Sequence, residues 1–104
     1  MTFDLPDDPN ADAPRAWPPI LVLGRDTCED TTMSREHLAA RGIPFDYRKV
    51  DEDPGADAWI RRLNDGNWVT PTILIGDPDA PSATLREPSN EALDEAIERA
   101  PATR

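Results

Sequence analysis

Ile20-Leu21-Val22-Leu23 is a run of branched apolar residues too short for a helix, and it reads as a fully buried strand. Just beyond it, Thr27 and Asp30 stand three apart as a capping-box pair, which predicts a helix running to about Arg41 and stopping at Gly42. A buried strand feeding directly into a helix is a crossover unit. It commits the next strand to a parallel partnership with the first. Cys28, the only cysteine in the chain, falls in the first turn of that helix, so no internal disulfide can form.

The remaining elements follow from the same kind of pattern. Alternation over Phe45 to Val50 predicts a second strand, imperfectly amphipathic. Asp53-Pro54 supplies an N-cap acceptor and a proline at the first helical position, and Ala56, Trp59, Ile60 and Leu63 recur behind it at helical spacing. That helix ends at Asn64-Asp65-Gly66-Asn67. Thr72 to Ile75 and Ala83 to Arg86 read as short strands, separated by the turn-rich Gly76-Asp77-Pro78-Asp79-Ala80-Pro81. Ser89 or Asn90 caps a last helix in which Leu93, Ala96, Ile97 and Ala100 share one apolar face. The order is β-α-β-α-β-β-α: an α/β domain with a mixed four-stranded sheet and three helices, its last two strands joined closely enough for an antiparallel hairpin.

The 104 residues suffice for one such domain. Residues 1–19 hold five prolines among acidic and small residues, a composition that cannot bury enough apolar area to offset the entropy of ordering. They are expected to form a mobile tail, with the folded domain over 20–104. Trp17, within the tail, has no assignable role. The 21 acidic residues against 11 basic ones give a net charge of -10, whose field repels nucleic acid and anionic membranes. No apolar stretch approaches spanning length, and Met1 to Pro14 lack the basic start and apolar core of a secretory signal. A cytoplasmic protein is expected, in keeping with a lone cysteine.

A helix N-terminus and a nearby cation lower a thiol's pKa and expose the nucleophilic thiolate, and Cys28 has both the helix and Arg25. Asp26, Glu29 and Asp30 oppose them, since negative charges within a turn of the sulfur disfavour another anion. Read from the residues alone, Cys28 is either an activated nucleophile or a small space-filling thiol.

The ordered set Arg25-Asp26-Thr27-Cys28 at a strand-to-helix turn, Val69-Thr70-Pro71 opening a later strand and Pro88-Ser89-Asn90 opening the last helix resembles the glutaredoxins of the thioredoxin fold. The stretch Leu63 to Thr72 and the later Pro88-Ser89 are most similar to the mycoredoxin branch. The resemblance spans roughly residues 20 to 100. It implies that Cys28 attacks mixed disulfides between proteins and a low-molecular-weight thiol of the glutathione or mycothiol type. The second cysteine of the usual C-x-x-C is Thr31 here, so the cycle it implies is monothiol and the resolving thiol comes from outside. The bond before Pro71 is then expected to be cis, with Thr70 presenting its backbone to the bound thiol. Arg25, Ser89 and Asn90 are expected to hold the ligand's carboxylates. Two departures stand out: Glu29-Asp30 replaces the proline or glycine and aromatic common between the cysteines, and Arg86-Glu87-Pro88 replaces a Gly-Gly pair.

Each of these residues also has a plainer reading. Pro71 is then an ordinary strand-opening proline, Arg25 a solvated charge, and Ser89 and Asn90 simple helix caps. Trp68 either offers its indole to a partner or is buried against the second helix; Trp59 belongs to the core. His37 is a helix-face residue, and with one histidine and no acid-base or calcium spacing no metal is expected. The principal functional reading is a thiol-disulfide oxidoreductase. The alternative is a catalytically weak binding module that keeps the scaffold and holds a partner protein. A cluster shared between two Cys28 thiols ranks last, because the C-G-F-S pattern of cluster-binding relatives is missing.

Overall fold

The computed structural model describes residues 17–101. Strand β1 (Ile20–Gly24) is buried along its whole length, because it lies inside the sheet order β2-β1-β3-β4 with helices on both faces. It pairs in parallel with β2 (Asp46–Lys49) through Leu21↔Asp46 to Gly24↔Lys49. On its other side it pairs antiparallel with β3 (Thr72–Ile75), and β3 pairs antiparallel with β4 (Ala83–Arg86). The helices are α1 (Glu29–Ala40), α2 (Pro54–Leu63) and α3 (Asn90–Arg99). The expected order and mixed pairing are those observed.

Side chains alternate across a strand, so a strand buried on both faces feeds two cores. Ile20 and Val22 join Ile73, Ile75, Leu38, Leu93 and Ile97 beneath α1 and α3. Leu21 and Leu23 join Leu74, Val50, Ala56 and Ile60 beneath α2. Helix α2 starts as expected: the Asp53 carboxylate accepts from the Gly55 and Ala56 amides, with Pro54 at the first position. Trp59 and Leu63 are half-buried against the second cluster. In α3 the cap is Ser89, whose hydroxyl accepts from Ala92 N at 3.0 Å.

Helix α1 departs from expectation at its start. Thr27 is exposed and does not cap it; Cys28 itself is the N-cap, with extended φ -94° and ψ 120°. A tight turn, Cys28 N to Arg25 O at 3.2 Å, leaves room for Thr32 N to reach Cys28 O at 3.1 Å, which starts the helix one residue later. The face that α1 buries is Thr31, Ser34 and Leu38, so near the cysteine the helix packs on the sheet through hydroxyl-bearing side chains. The second strand is shorter than its alternation implies. Phe45 leaves the ladder to pack against the first core cluster, while Val50 N still reaches Gly24 O at 2.9 Å.

The expected tail falls mostly on residues outside those described. Its last three residues are described, and they join the body: Trp17 packs against the first core cluster, Pro18 is buried and Pro19 O accepts from Gly76 N at 2.8 Å.

Candidate functional site

The C-terminal end of β1, the start of α1 and the start of β3 converge on one atom, the sulfur of Cys28. It is half-buried and lies 3.3 Å from Thr70 O, to which the thiol donates. Thr70 Oγ1 lies at the same 3.3 Å and donates to the sulfur. The Thr70-Pro71 bond is cis, as expected for this position, and both residues are buried. The two residues are 42 apart in sequence. They meet because Leu23 pairs with Thr72, which brings the segment preceding β3 to the end of β1.

An N-cap residue usually places an oxygen against the free amides of the helix's second and third residues. Here a thiol stands in that place. In the neutral state it closes no capping hydrogen bond, and the amides of Asp30 and Thr31 are left to favour its anion. Burial pushes the Cys28 thiol up. The Thr31 and Thr70 hydroxyls and those two amides together outweigh burial, so the thiol sits below its ordinary value.

The acidic neighbours do not act as their number implies. Asp26, next but one to the cysteine, accepts from Tyr47 Oη at 2.8 Å and pairs with Lys49 Nζ at 3.1 Å and Arg35 Nη1 at 3.5 Å. These contacts hold its carboxyl below the usual range, the Tyr47 hydrogen bond and Lys49 leading. Arg35 also stacks on the Tyr47 ring, 3.9 Å from its centroid. Tyr47 in turn is held above its ordinary value by burial and by the Asp26 carboxylate. The charge of Asp26 is therefore locally compensated before it reaches the sulfur.

Arg25 lies over the Trp68 ring, 5.8 Å from its centroid, and Arg61 lies 5.4 Å from the same centroid. Trp68 is half-buried against the core beneath α2, and its Nε1 donates to Asp57 Oδ1 at 2.7 Å, so the reading of burial against the second helix holds. Asp57 also accepts from Arg61 Nε at 2.8 Å, which neutralises one of the two cations. Arg25 has no carboxylate within salt-bridge distance among the described residues, and its buried Nε has no hydrogen-bond partner. It is a cation three residues ahead of Cys28 in sequence, with capacity to spare.

On the other side, the turn from β4 to α3 carries Glu87 at φ +49°, and its amide donates to Pro71 O at 2.9 Å. That left-handed bend is the conformation a glycine takes most cheaply. Ser89 is engaged in capping, whereas the buried Asn90 Oδ1 has no partner.

Sequence reasoning missed Asn64, read only as a helix stop. It is buried and ties three elements together: Nδ2 donates to Ile60 O at 2.9 Å and to Thr72 Oγ1 at 3.1 Å, while Oδ1 accepts from Arg86 Nε at 2.7 Å. Thr72 Oγ1 donates onward to Val69 O at 2.6 Å, bracketing Thr70 and Pro71. The signal was its spacing, four residues after Ile60 and eight after Ala56, on the helix's buried face. His37 is likewise engaged, with Nε2 2.8 Å from Asp94 Oδ1. Among the described residues no group of three His, Cys, Asp or Glu side chains is arranged to hold a metal, and no helix is long and apolar enough to cross a membrane.

Known proteins resemble the chain in both fold and sequence. A glutaredoxin structure from Archaeoglobus fulgidus superposes with TM-score 0.60 at 18% identity, covering 91% of this chain and 98% of that one. One from Brucella melitensis does so with TM-score 0.57 at 20% identity, over 80% and 85%. At such identities the likeness is one of fold, and the fold is thioredoxin-like. Mycoredoxin 1 of Corynebacterium glutamicum is 39% identical over 36 residues, 35% of this chain and 46% of that protein. The match thus spans about half the length of that relative. The family model for glutaredoxin matches residues 20–78, from the first residue of β1 through both Cys28 and the cis Pro71. With more than half of the chain matched and the sulfur and the Thr70 backbone in hydrogen-bond contact, the chain belongs to the glutaredoxin family.

Proposed function

We propose that the protein is a monothiol oxidoreductase that reduces mixed disulfides between proteins and a low-molecular-weight thiol, with Cys28 as its nucleophile. The observation that carries this reading is the placement of the Cys28 sulfur at the N-cap of α1, in contact with both the carbonyl and the hydroxyl of Thr70. A half-buried thiol held below its ordinary value is more readily deprotonated than a free one, and its thiolate is open to attack a substrate.

In the first step the Cys28 thiolate attacks the small-thiol sulfur of the modified protein. A new sulfur-sulfur bond forms, the old one breaks, and the protein leaves as a thiolate that takes a proton from solvent. In the second step another small-thiol thiolate attacks the small-thiol sulfur of the adduct, releasing the symmetric small-thiol disulfide and regenerating the Cys28 thiolate. One small thiol is thus consumed for each protein thiol restored, and it leaves joined to the small thiol that had capped the protein as their symmetric disulfide. Thr31 at the position of a second cysteine supports this route over an internal disulfide.

In this reading the backbone of Thr70, ahead of cis Pro71, aligns the peptide-like part of the thiol. Arg25, which lacks an ion-pair partner among the described residues, takes one carboxylate, and the α3 N-terminus at Ser89 and Asn90 takes another anionic or hydrogen-bonding group. The proposed setting is the cytoplasm, where small thiols are kept reduced. The test is turnover of a protein mixed disulfide with glutathione or mycothiol as reductant. Cys28→Ser is expected to abolish it with the circular dichroism spectrum unchanged, and undiminished turnover in that variant would refute the proposal.

A further inference from the structure

The two edges of the sheet differ in character. Strand β2 ends it on one side with Asp46, Arg48 and Lys49 among its residues, a charged edge of the kind that discourages further pairing. Strand β4 ends it on the other with Ala83, Thr84, Leu85 and Arg86. Its one charge is tied to the end of α2, for Arg86 Nε donates to Asn64 Oδ1 at 2.7 Å and Nη2 donates to Leu63 O at 2.8 Å. Among the described residues no strand covers the outer side of β4.

The register identifies the groups left free. Glu87 N donates to Pro71 O at 2.9 Å, and two residues earlier Leu85 lies opposite Ile73. Antiparallel bonding repeats at every second residue, so Leu85 and Glu87 bond to β3 while the N-H and C=O of Thr84 and Arg86 point out of the sheet. Between this edge and α3 lies an open groove of about 340 Å³, lined by Ala83 and Leu85 from the strand and by Ala92, Ala96 and Ala100 from the helix. The three alanines stand four apart, in one row of small side chains along α3. On the rim, Glu95 and Arg99 are paired at 2.9 Å. A surface that carries both signs side by side is complementary to itself, as an isologous contact requires.

We propose that β4 is a dimerisation edge, on which a second copy of this chain adds its own β4 antiparallel about a twofold axis between the two Leu85 residues. Thr84 of one protomer then exchanges main-chain hydrogen bonds with Arg86 of its partner, twice over by symmetry, and the two four-stranded sheets become one. The Leu85 residues form the close, non-hydrogen-bonded pair at the centre, on the side of the sheet that faces α3, and their side chains fill the groove. The axis stands perpendicular to the sheet. The two α3 helices therefore run antiparallel on one face, alanine row toward alanine row, with Glu95 of each protomer approaching Arg99 of the other. Cys28 lines no part of the groove, so the inference is independent of what the thiol does.

Sedimentation equilibrium of the full chain, from micromolar to submillimolar concentration, checks this. Physiological ionic strength is used, because a net charge of -10 sets copies against each other at low salt. A reductant is present, so that no disulfide between two Cys28 thiols contributes. The full chain is expected to show a monomer-dimer equilibrium. Thr84→Pro removes an outward N-H from both protomers while the bonds to β3 survive, and the dissociation constant is expected to rise by about tenfold or more with the circular dichroism spectrum unchanged. A full chain that stays monomeric to the top of the range, whatever else fills the groove, overturns the proposal. So does a dimer that Thr84→Pro leaves as tight as the parent's. Should proline prevent folding, Ala96→Glu, which sets two carboxylates against each other across the axis, takes its place with the same outcomes.

Discussion

Replacing Asn64 by alanine is expected to cost far more than trimming a loop residue. The main-chain N-H of Asn64 goes to Arg61 O at 3.3 Å, leaving the Asn64 side-chain amide to satisfy Ile60 O at 2.9 Å. Truncation leaves that helix-end carbonyl without the amide's donor, at about 1–3 kcal/mol for a buried group. Arg86 is exposed and keeps its bond to Leu63 O at 2.8 Å, so water replaces much of what it loses. Thr72 keeps its donation to Val69 O and loses only an incoming bond. A sum of roughly 2–3 kcal/mol is a large share of the 5–15 kcal/mol typical of a domain. At about 4–8 °C per kcal/mol, the midpoint should fall by roughly 10–20 °C. Thermal and urea unfolding would measure it, with Asn64→Asp as the partner variant: aspartate keeps the acceptor for Arg86 but loses both donors. If the joint works through its donors, the two variants fall together. A stability of Asn64→Ala within about 0.5 kcal/mol of the parent, the range of an ordinary surface change, would refute the reasoning.

Two further outcomes follow from the same structure. Asp94 on α3 pairs with His37 at 2.8 Å and Arg41 at 2.6 Å on α1; burial pushes its carboxyl up, and hydrogen bonds from His37 and Arg41 with their charges more than offset that, leaving it below the usual 3.8. A depressed carboxyl contributes stability above its unfolded value and loses it as pH falls through the folded one, so the parent's advantage over Asp94→Asn should shrink between about pH 5 and pH 2; a gap independent of pH in urea unfolding would contradict this. Glu87→Gly should stabilise the protein by roughly 0.5–1 kcal/mol, because glycine relieves the left-handed backbone at φ +49° while the amide bond to Pro71 O survives; a lowered midpoint would show that the Glu87 side chain outweighs the strain.

How far the molecule was legible depended on how local each signal was. Asp53-Pro54 and Ser89 are start signals complete within four residues, and both helices begin where they indicate. The runs at Thr72 and Ala83 match their strands residue for residue. Cys28 as its own helix cap was not legible, because Thr27 has the better capping chemistry and only the turn to Arg25 O decides between them. His37 and Asp94 lie 57 residues apart, and no pattern along the chain joins them. Glu87 in a left-handed turn runs against its own propensity and was visible only as a missing glycine pair.

The site teaches the same lesson about charge. Counting side chains near Cys28 sets one cation and a helix end against three carboxylates, a contest without a clear winner. The parallel register of β1 on β2 removes the nearest carboxylate from it. Pairing Gly24 with Lys49 brings Asp26 within reach of Tyr47 and Lys49, and Arg35 closes from α1. What remains around the sulfur is burial opposed by two hydroxyls and two amides. Hydrogen bonds of this kind act at fixed short range and are screened by salt far less than exposed charges are. A chain of net charge -10 can therefore keep a lowered thiol without a basic pocket, provided that Thr70 and the first turn of α1 stay in place. Thr70 is bracketed by Pro71, whose carbonyl holds Glu87, and by Val69, whose carbonyl holds Thr72 and through it Asn64. The buried amide at the end of α2 is thus part of what sets the chemistry of a sulfur it never touches.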